Sequence, residues 1–172
     1  MSKNNPERVS GAMVSAEFFE ALGVAPQLGR ALAKGEDEAG RQRVVILSDQ
    51  LWRKNFAAAP DIIGASLDLN GEPHAVVGVM PPAFRYPRRD TDAWTPLVIP
   101  PRMAQSRGSH GYWTVARLKP GVTLQQAREQ LKMIAERLAG QYPDTNSGKS
   151  ARVEPMQETL VKGLRPGLLI LS

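Results

Sequence analysis

The chain has 172 residues, of which 42% are hydrophobic and 23% are charged, so its composition indicates one folded domain and neither a disordered nor a membrane-embedded protein. It contains no cysteine, which excludes disulfide bonds, thiolate catalysis and cysteine-bound metals. The net charge of +5 suggests acidic partners. The basic residues are nevertheless spread along the chain, and we interpret the densest group as a solvated loop. That group is Arg85, Arg88, Arg89, Arg102 and Arg107.

The first part of the chain predicts two strand–helix units. Residues 8–14 form a strand, and Ser15 caps a brief helix that carries Phe18, Phe19 and Leu22 and closes at Gly23. Residues 24–34 are expected to be a loop. The continuous apolar run in residues 43–47 is typical of a strand covered on both faces, and Ser48 is expected to cap the helix that follows it.

Several residues with potential chemistry are interpreted as structural. Ser48 lacks the flanking glycines that expose a nucleophilic serine, so helix capping is the better interpretation. The acidic triplet at residues 36–38 cannot direct three consecutive side chains at one ion. His74 and His110 are too few for a histidine metal cluster. The sequence therefore predicts no catalytic, metal-binding or cofactor-binding residues.

A hairpin is predicted around Asn70 and Gly71. A two-residue loop would place Leu67 opposite His74 and Leu69 opposite Glu72. A longer loop with a bulge would instead pair the apolar side chains on the two strands. We therefore expect a loop of three or more residues, with Pro73 near a sheet edge because proline cannot donate a hydrogen bond.

The second part of the chain is organised around a strand and a long helix. Residues 84–107 form a connection anchored by Tyr86 and Trp94, and residues 113–118 alternate as a strand does. Thr123 and Gln126 have the spacing of a capping box, and Gly140 and Pro143 are expected to end the helix. The helix carries one apolar stripe, which we expect to pack on a sheet: Leu124, Ala127, Leu131, Ile134 and Leu138.

The remaining C-terminal residues predict a turn at 144–148 and a closing strand at 151–156. The apolar run in residues 168–171 is far shorter than the ~20 residues that span a bilayer. It is expected to be either a buried last strand or the beginning of a membrane helix. The polar N-terminus has no apolar segment typical of a signal peptide. From the residues alone, the fold class is α+β, with two strand–helix units and a hairpin between them.

Five segments together resemble one family across roughly residues 9–171. They are VSAEFFEALGVAPQLGRAL, VVILSDQLWRKNF, GASLDLNGEPHAVVGVMPPAFRYP followed by DAWTPL, ARLKPGVTLQQAREQLKMIAERLAGQYPDTN, and LVKGLRPGLLIL. In this order and spacing the chain resembles the MacB-like periplasmic core domain of ABC transporter permeases of the FtsX-like family.

The resemblance implies a periplasmic domain of an inner-membrane permease, placed between its first two membrane helices. It implies a porter-like βαβ lobe made from both chain ends, at residues 6–30 and 110–161, with a smaller α/β lobe inserted at residues 43–101. Residues 164–172 would begin a truncated transmembrane helix.

The implied function is to couple ATP hydrolysis, carried out by a separate cytoplasmic ABC ATPase subunit, to export or other work outside the cytoplasm. The domain itself would not be an enzyme. The implied partners are that ATPase, a second permease subunit in a dimer and, where a tripartite pump forms, a periplasmic adaptor or outer-membrane channel. Nucleic acid is not an expected partner. The alternative is a soluble ligand- or nucleic-acid-binding module without catalysis, which the basic net charge would suit.

Overall fold

The computed structural model describes residues 8–108 and 111–157. His110 and the predicted membrane segment at residues 164–172 lie outside the described residues. The described chain divides into two compact units. We call residues 8–105 with 114–116 the sheet unit, and the other described residues from 106 onwards the helix unit.

The sheet unit contains six strands and three α-helices. In chain order they are β1 (Gly11–Val14), α1 (Phe18–Leu22), β2 (Leu28–Gly29), β3 (Val44–Leu47), α2 (Asp49–Phe56), a 3-10 turn (Pro60–Ile62), β4 (Ser66–Leu69), β5 (Glu72–Val79), β6 (Ala93–Pro96) and α3 (Pro101–Ala104). The helix unit contains α4 (Leu124–Gln141) and α5 (Pro143–Asn146). The α+β fold class is confirmed.

The strands form one mixed sheet in the order β1-β6-β3-β5-β2, with β4 also paired to β5. The central strand β3 runs parallel to β5 and antiparallel to β6. Since α2 lies between β3 and β5 in the chain, these elements make the crossover that a parallel pair requires. The predicted strand at residues 43–47 is therefore the centre of the sheet.

Both faces of β3 are buried, as its apolar run predicts. Val44 and Ile46 pack on one face with Phe19 of α1 and Trp94. Val45 and Leu47 pack on the other face with Leu51 of α2. All four β3 residues are at most 1% exposed, so this strand joins the two halves of the core.

The hairpin is present, but the predicted longer loop is wrong. Leu67 pairs with His74 and Leu69 with Glu72, so the loop is the two residues Asn70 and Gly71. Both have positive φ, 57° and 81°, as a type I′ turn requires. The Asp68 carboxylate accepts a hydrogen bond of 2.7 Å from the Gly71 amide and holds the turn closed.

Two strands of the sheet fall where the sequence predicts loops. β2 lies within residues 24–34, and β6 lies within the connection at residues 84–107. Trp94 of β6 is fully buried and donates to the Tyr86 carbonyl at 3.0 Å, which confirms Trp94 as an anchor. The predicted cap at Ser15 is wrong, because α1 has no side-chain cap hydrogen bond.

The two strands from the first 30 residues pair with strands further along the chain. β1 runs parallel to β6, and β2 runs antiparallel to β5, so both belong to the sheet that also contains the strands of residues 43–101. β1 packs there through Val14, in the same cluster as Trp94, and β2 packs through Leu28 against the other cluster. Where the lobes of the family domain begin and end stays a prediction.

In the helix unit, the start of α4 is confirmed. Thr123 and Gln126 form both hydrogen bonds of the capping box. The helix continues to Gln141, so Gly140 does not end it. Residues 144–146, predicted as part of a turn, form the short helix α5 together with Pro143, which lies in its first turn.

The packing predicted for α4 is wrong in the described structure. No residue of α4 is buried, and Leu131 and Ile134 of its apolar stripe are 39% and 41% exposed. Residues 113–118 and 151–155, where strands are predicted, have no regular secondary structure, and residue 156 is helical. Trp113 is fully exposed. Without those strands, the helix unit has no sheet for the stripe to cover.

Candidate functional site

A polar junction around the buried Asp49 lies at the point where β3 ends and α2 begins. The Gln27 side-chain amide donates to Asp49 Oδ1 at 2.7 Å and to the Met80 carbonyl at 3.0 Å. Arg53 Nε donates to Asp49 Oδ2 at 2.8 Å. The Gln27 amide thus joins the segment before β2 to the first turn of α2 and to the residue after β5, and the Asp49 carboxylate also binds Arg53 within α2.

The charge on Asp49 is stabilised by these contacts. The hydrogen bond from Arg53 lowers the pKa of the Asp49 carboxyl below its ordinary value, and the bond from Gln27 acts in the same direction. Burial opposes both effects, since it disfavours the charged form. The Asp49–Arg53 pair has the i,i+4 spacing that a sequence can reveal, whereas the contact with Gln27 spans 22 residues and gives no local signal.

Ser48 caps α2, as predicted. Its Oγ accepts a hydrogen bond of 3.0 Å from the Leu51 amide, and its own amide donates to the Asp92 carbonyl at 2.7 Å. The residue is 3% exposed. Ser48 is buried and its hydroxyl already accepts a hydrogen bond at the start of the helix, so we interpret it as structural. We call the contacts among Gln27, Asp49 and Met80 the brace.

The acidic triplet at residues 36–38 is divided among three different partners. Glu36 pairs with Arg30, which lowers the pKa of the Glu36 carboxyl. Asp37 accepts from the Ala16 amide at 3.0 Å, and Glu38 pairs with Arg41. Across residues 8–108 and 111–157, no group of three acidic or histidine side chains is arranged to hold a metal ion. His74 Nδ1 lies 2.9 Å from the Glu72 carbonyl oxygen.

Three arginines of the dense basic group make separate contacts. Arg88 pairs with Asp90 at 2.8 Å, and Arg85 donates to Gln50 Oε1 at 2.7 Å. The Arg107 guanidinium lies 4.2 Å from the centre of the Tyr142 ring, in the helix unit. These contacts agree with a solvated segment whose arginines each interact with an individual neighbouring side chain.

No helix within the described parts of the chain has the length and apolar composition needed to cross a bilayer. Two solved structures share the fold. The periplasmic region of MacB from Actinobacillus actinomycetemcomitans aligns with a TM-score of 0.52 and 18% identity, over 76% of this chain and 56% of that chain. The extracellular domain of the noncanonic ABC-type transporter YknZ from Gram-positive bacteria aligns with a TM-score of 0.51 and 16% identity, over 78% of this chain and 65% of that chain.

This chain therefore spans less than two thirds of either structure. No curated protein sequence matches it significantly. The sequence profile of the MacB-like periplasmic core domain matches residues 1–134, which is most of the chain and includes the whole sheet. The chain therefore belongs to the family of MacB-like periplasmic core domains found in ABC-type permeases.

Proposed function

We propose that this domain transmits conformational change in an ABC permease, from membrane helices driven by a cytoplasmic ATPase to the space outside the cytoplasmic membrane. Membership of the family supports the location on the periplasmic side of an inner-membrane permease. The expected partners are the ATPase subunit, a second permease subunit and, in pumps that contain them, an adaptor or outer-membrane channel.

The observation that carries the proposal is the burial of β3. A domain that passes on a displacement must contain a part that does not deform, and Val44–Leu47 are at most 1% exposed with hydrogen-bonded strands on both sides. Close-packed interiors have low compressibility and transmit strain. The brace at Gln27, Asp49 and Met80 adds polar bonds at one end of this strand.

Distance measurements in the complete permease, reconstituted with its ATPase, test the proposal. This chain has no cysteine, so once any cysteines elsewhere in the permease and its ATPase are replaced, spin labels can be attached specifically at Lys34→Cys in the sheet unit and Lys119→Cys in the helix unit. We expect the distribution of label–label distances to change between the nucleotide-free state and the ATP-trapped state. An unchanged distribution would show that this domain does not respond to the ATPase cycle.

A label pair within the sheet unit provides the matched control. Lys34→Cys and Asp61→Cys both replace exposed residues of that unit. Their distance distribution is expected to stay the same in both nucleotide states, since the packed sheet moves as one body. A nucleotide-dependent change within this pair would mean that the sheet deforms, and the rigid-transmission proposal would then be wrong.

A further inference from the structure

A groove of about 740 Å³ runs along α4 in the helix unit. One wall is α4, with Arg128 and Lys132 one helical turn apart. The other wall is the irregular segment at residues 148–154, which contributes Lys149 and Arg152. Arg128 Nε donates to the Val153 carbonyl at 3.0 Å and ties the two walls together. The volume falls in the range of ~300 to 1,000 Å³ that is usual for ligand sites.

The groove carries an excess of positive charge. Four cationic side chains line it, against the two carboxylates of Glu136 and Glu154. Glu154 is engaged by Arg152. Glu136 lies 3.9 Å from Lys132 with both side chains mostly exposed, which makes that pair weak. Lys149 makes no ion pair within the described residues. An anionic occupant therefore finds cations on both walls that local carboxylates do not fully neutralise.

The spacing of the cations favours an extended chain as the occupant over a compact anion. Arg128 and Lys132 are four residues apart on a helix, which separates their Cα atoms by ~6 Å along the axis. In an extended peptide, side chains on the same face recur every second residue, at ~6.6 Å. Alternate acidic residues of such a peptide would thus match the cations on the α4 wall.

We propose that this groove binds an extended acidic peptide segment of a protein partner, with acidic residues at alternate positions along one face. The carboxylates of that face meet Arg128 and Lys132 on the α4 wall, and the charges of Lys149 and Arg152 on the other wall add to the attraction. This inference concerns the helix unit alone and does not depend on transmission of motion by the permease.

Fluorescence anisotropy with two labelled hexapeptides of equal charge tests the inference in the 172-residue chain. One peptide has the sequence Glu-Ala-Glu-Ala-Glu-Ala, and the other has Glu-Glu-Ala-Ala-Glu-Ala. We expect the alternating peptide to bind at least about tenfold more tightly at low ionic strength, because only in this peptide do carboxylates two residues apart share one face. Equal affinities would indicate attraction by net charge alone and would overturn the proposal, as would the absence of binding.

Two charge-reversal variants with the same net charge locate the site. Lys132→Glu with Lys149→Glu changes the groove, whereas Arg102→Glu with Lys119→Glu changes exposed residues outside it. We expect the first variant to lose about tenfold in affinity for the alternating peptide and the second to change less than about twofold. An equal loss in both variants would contradict the assignment to the groove.

Two further measurements complete the test. A photo-crosslinking form of the alternating peptide, applied to the unmodified chain, should attach within residues 128–136 or 148–154, and attachment elsewhere would exclude the groove whether or not the variants fold. Phosphatidylglycerol vesicles serve as the comparison for a lipid occupant. If the vesicles bind through Lys132 and Lys149 and the peptides do not bind, the groove recognises a membrane surface and the proposal is wrong.

Discussion

Gly29 and Gly78 face each other across the antiparallel pair of β2 and β5, at a point where neither strand has room for a side chain. A Cβ atom added at Gly29 would lie 2.2 Å from the Val77 carbonyl oxygen, and one added at Gly78 would lie 2.4 Å from the Arg30 carbonyl oxygen. The hydrogen bonds from the Gln27 and Arg30 amides to β5 depend on this close approach.

Gly78→Ala is therefore expected to destabilise the fold by about 1 to 3 kcal/mol, since the methyl group must push β2 away from β5. Gly111→Ala is the matched control. It has nothing within 4 Å of the added Cβ atom and is expected to change stability by less than about 0.5 kcal/mol. Urea denaturation midpoints of the two variants decide the matter, and similar small shifts would show that β2 can be displaced at no cost.

The Asp49 carboxylate should make stability depend on pH. Its pKa is lowered in the folded state, so its stabilising effect is fully present above the ordinary aspartate pKa of about 3.9 and is lost as the pH falls through the folded-state value. Asp49→Asn is expected to cost roughly 1 kcal/mol at pH 7. The difference from wild type should shrink below about pH 4. Urea denaturation of both proteins at pH values from 7 to 2.5 measures this difference in stability. A difference independent of pH would show that the charge of the Asp49 carboxylate does not stabilise the fold.

What the sequence predicts correctly is mostly local. The apolar run of β3, the Ser48 cap and the capping box at Thr123 each depend on neighbouring residues, and all three are confirmed. β6 was missed because its four residues, Ala93–Pro96, lie within a proline- and arginine-rich connection and are recognisable as a strand only beside β1 and β3. The contact between Gln27 and Asp49 was missed because it requires the tertiary fold.

The error in the hairpin has a specific cause. Alternation in the sequence places Ala75, Val77 and Val79 on one face of the return strand, but the pairing of β5 with β3 shifts register between Val45 and Ile46. As a result, Val76 and Val79 pack on one face and Val77 on the other. Leu67 can then join Val76 while it stays paired with His74. A bulge of this kind changes which residues share a face, and alternation alone does not reveal it.

The Asn70–Gly71 turn provides a third prediction. Asn70 has a φ of 57°, which asparagine tolerates and alanine adopts at a cost of about 1 kcal/mol or more. Asn70→Ala is therefore expected to lower the free energy of unfolding by about 1 kcal/mol, while Asn70→Gly should leave it within about 0.5 kcal/mol. Chemical denaturation compares the two variants. Equal losses would mean that the side chain of Asn70, and not its backbone conformation, stabilises the turn.

Ile46→Ala and Leu131→Ala should differ in their cost to stability, because the first lies in the packed strand β3 and the second on the exposed helix α4. Ile46 is fully buried at the centre of the sheet, so its truncation leaves a cavity and is expected to cost about 2 to 5 kcal/mol. The helical stripe predicts the same cost for Leu131, but that residue is 39% exposed and lies on a helix with no buried residue. Its truncation in this 172-residue chain is therefore expected to cost no more than about 1 kcal/mol. Urea denaturation of both variants gives the comparison, and equal losses would show that α4 is packed in solution as firmly as β3.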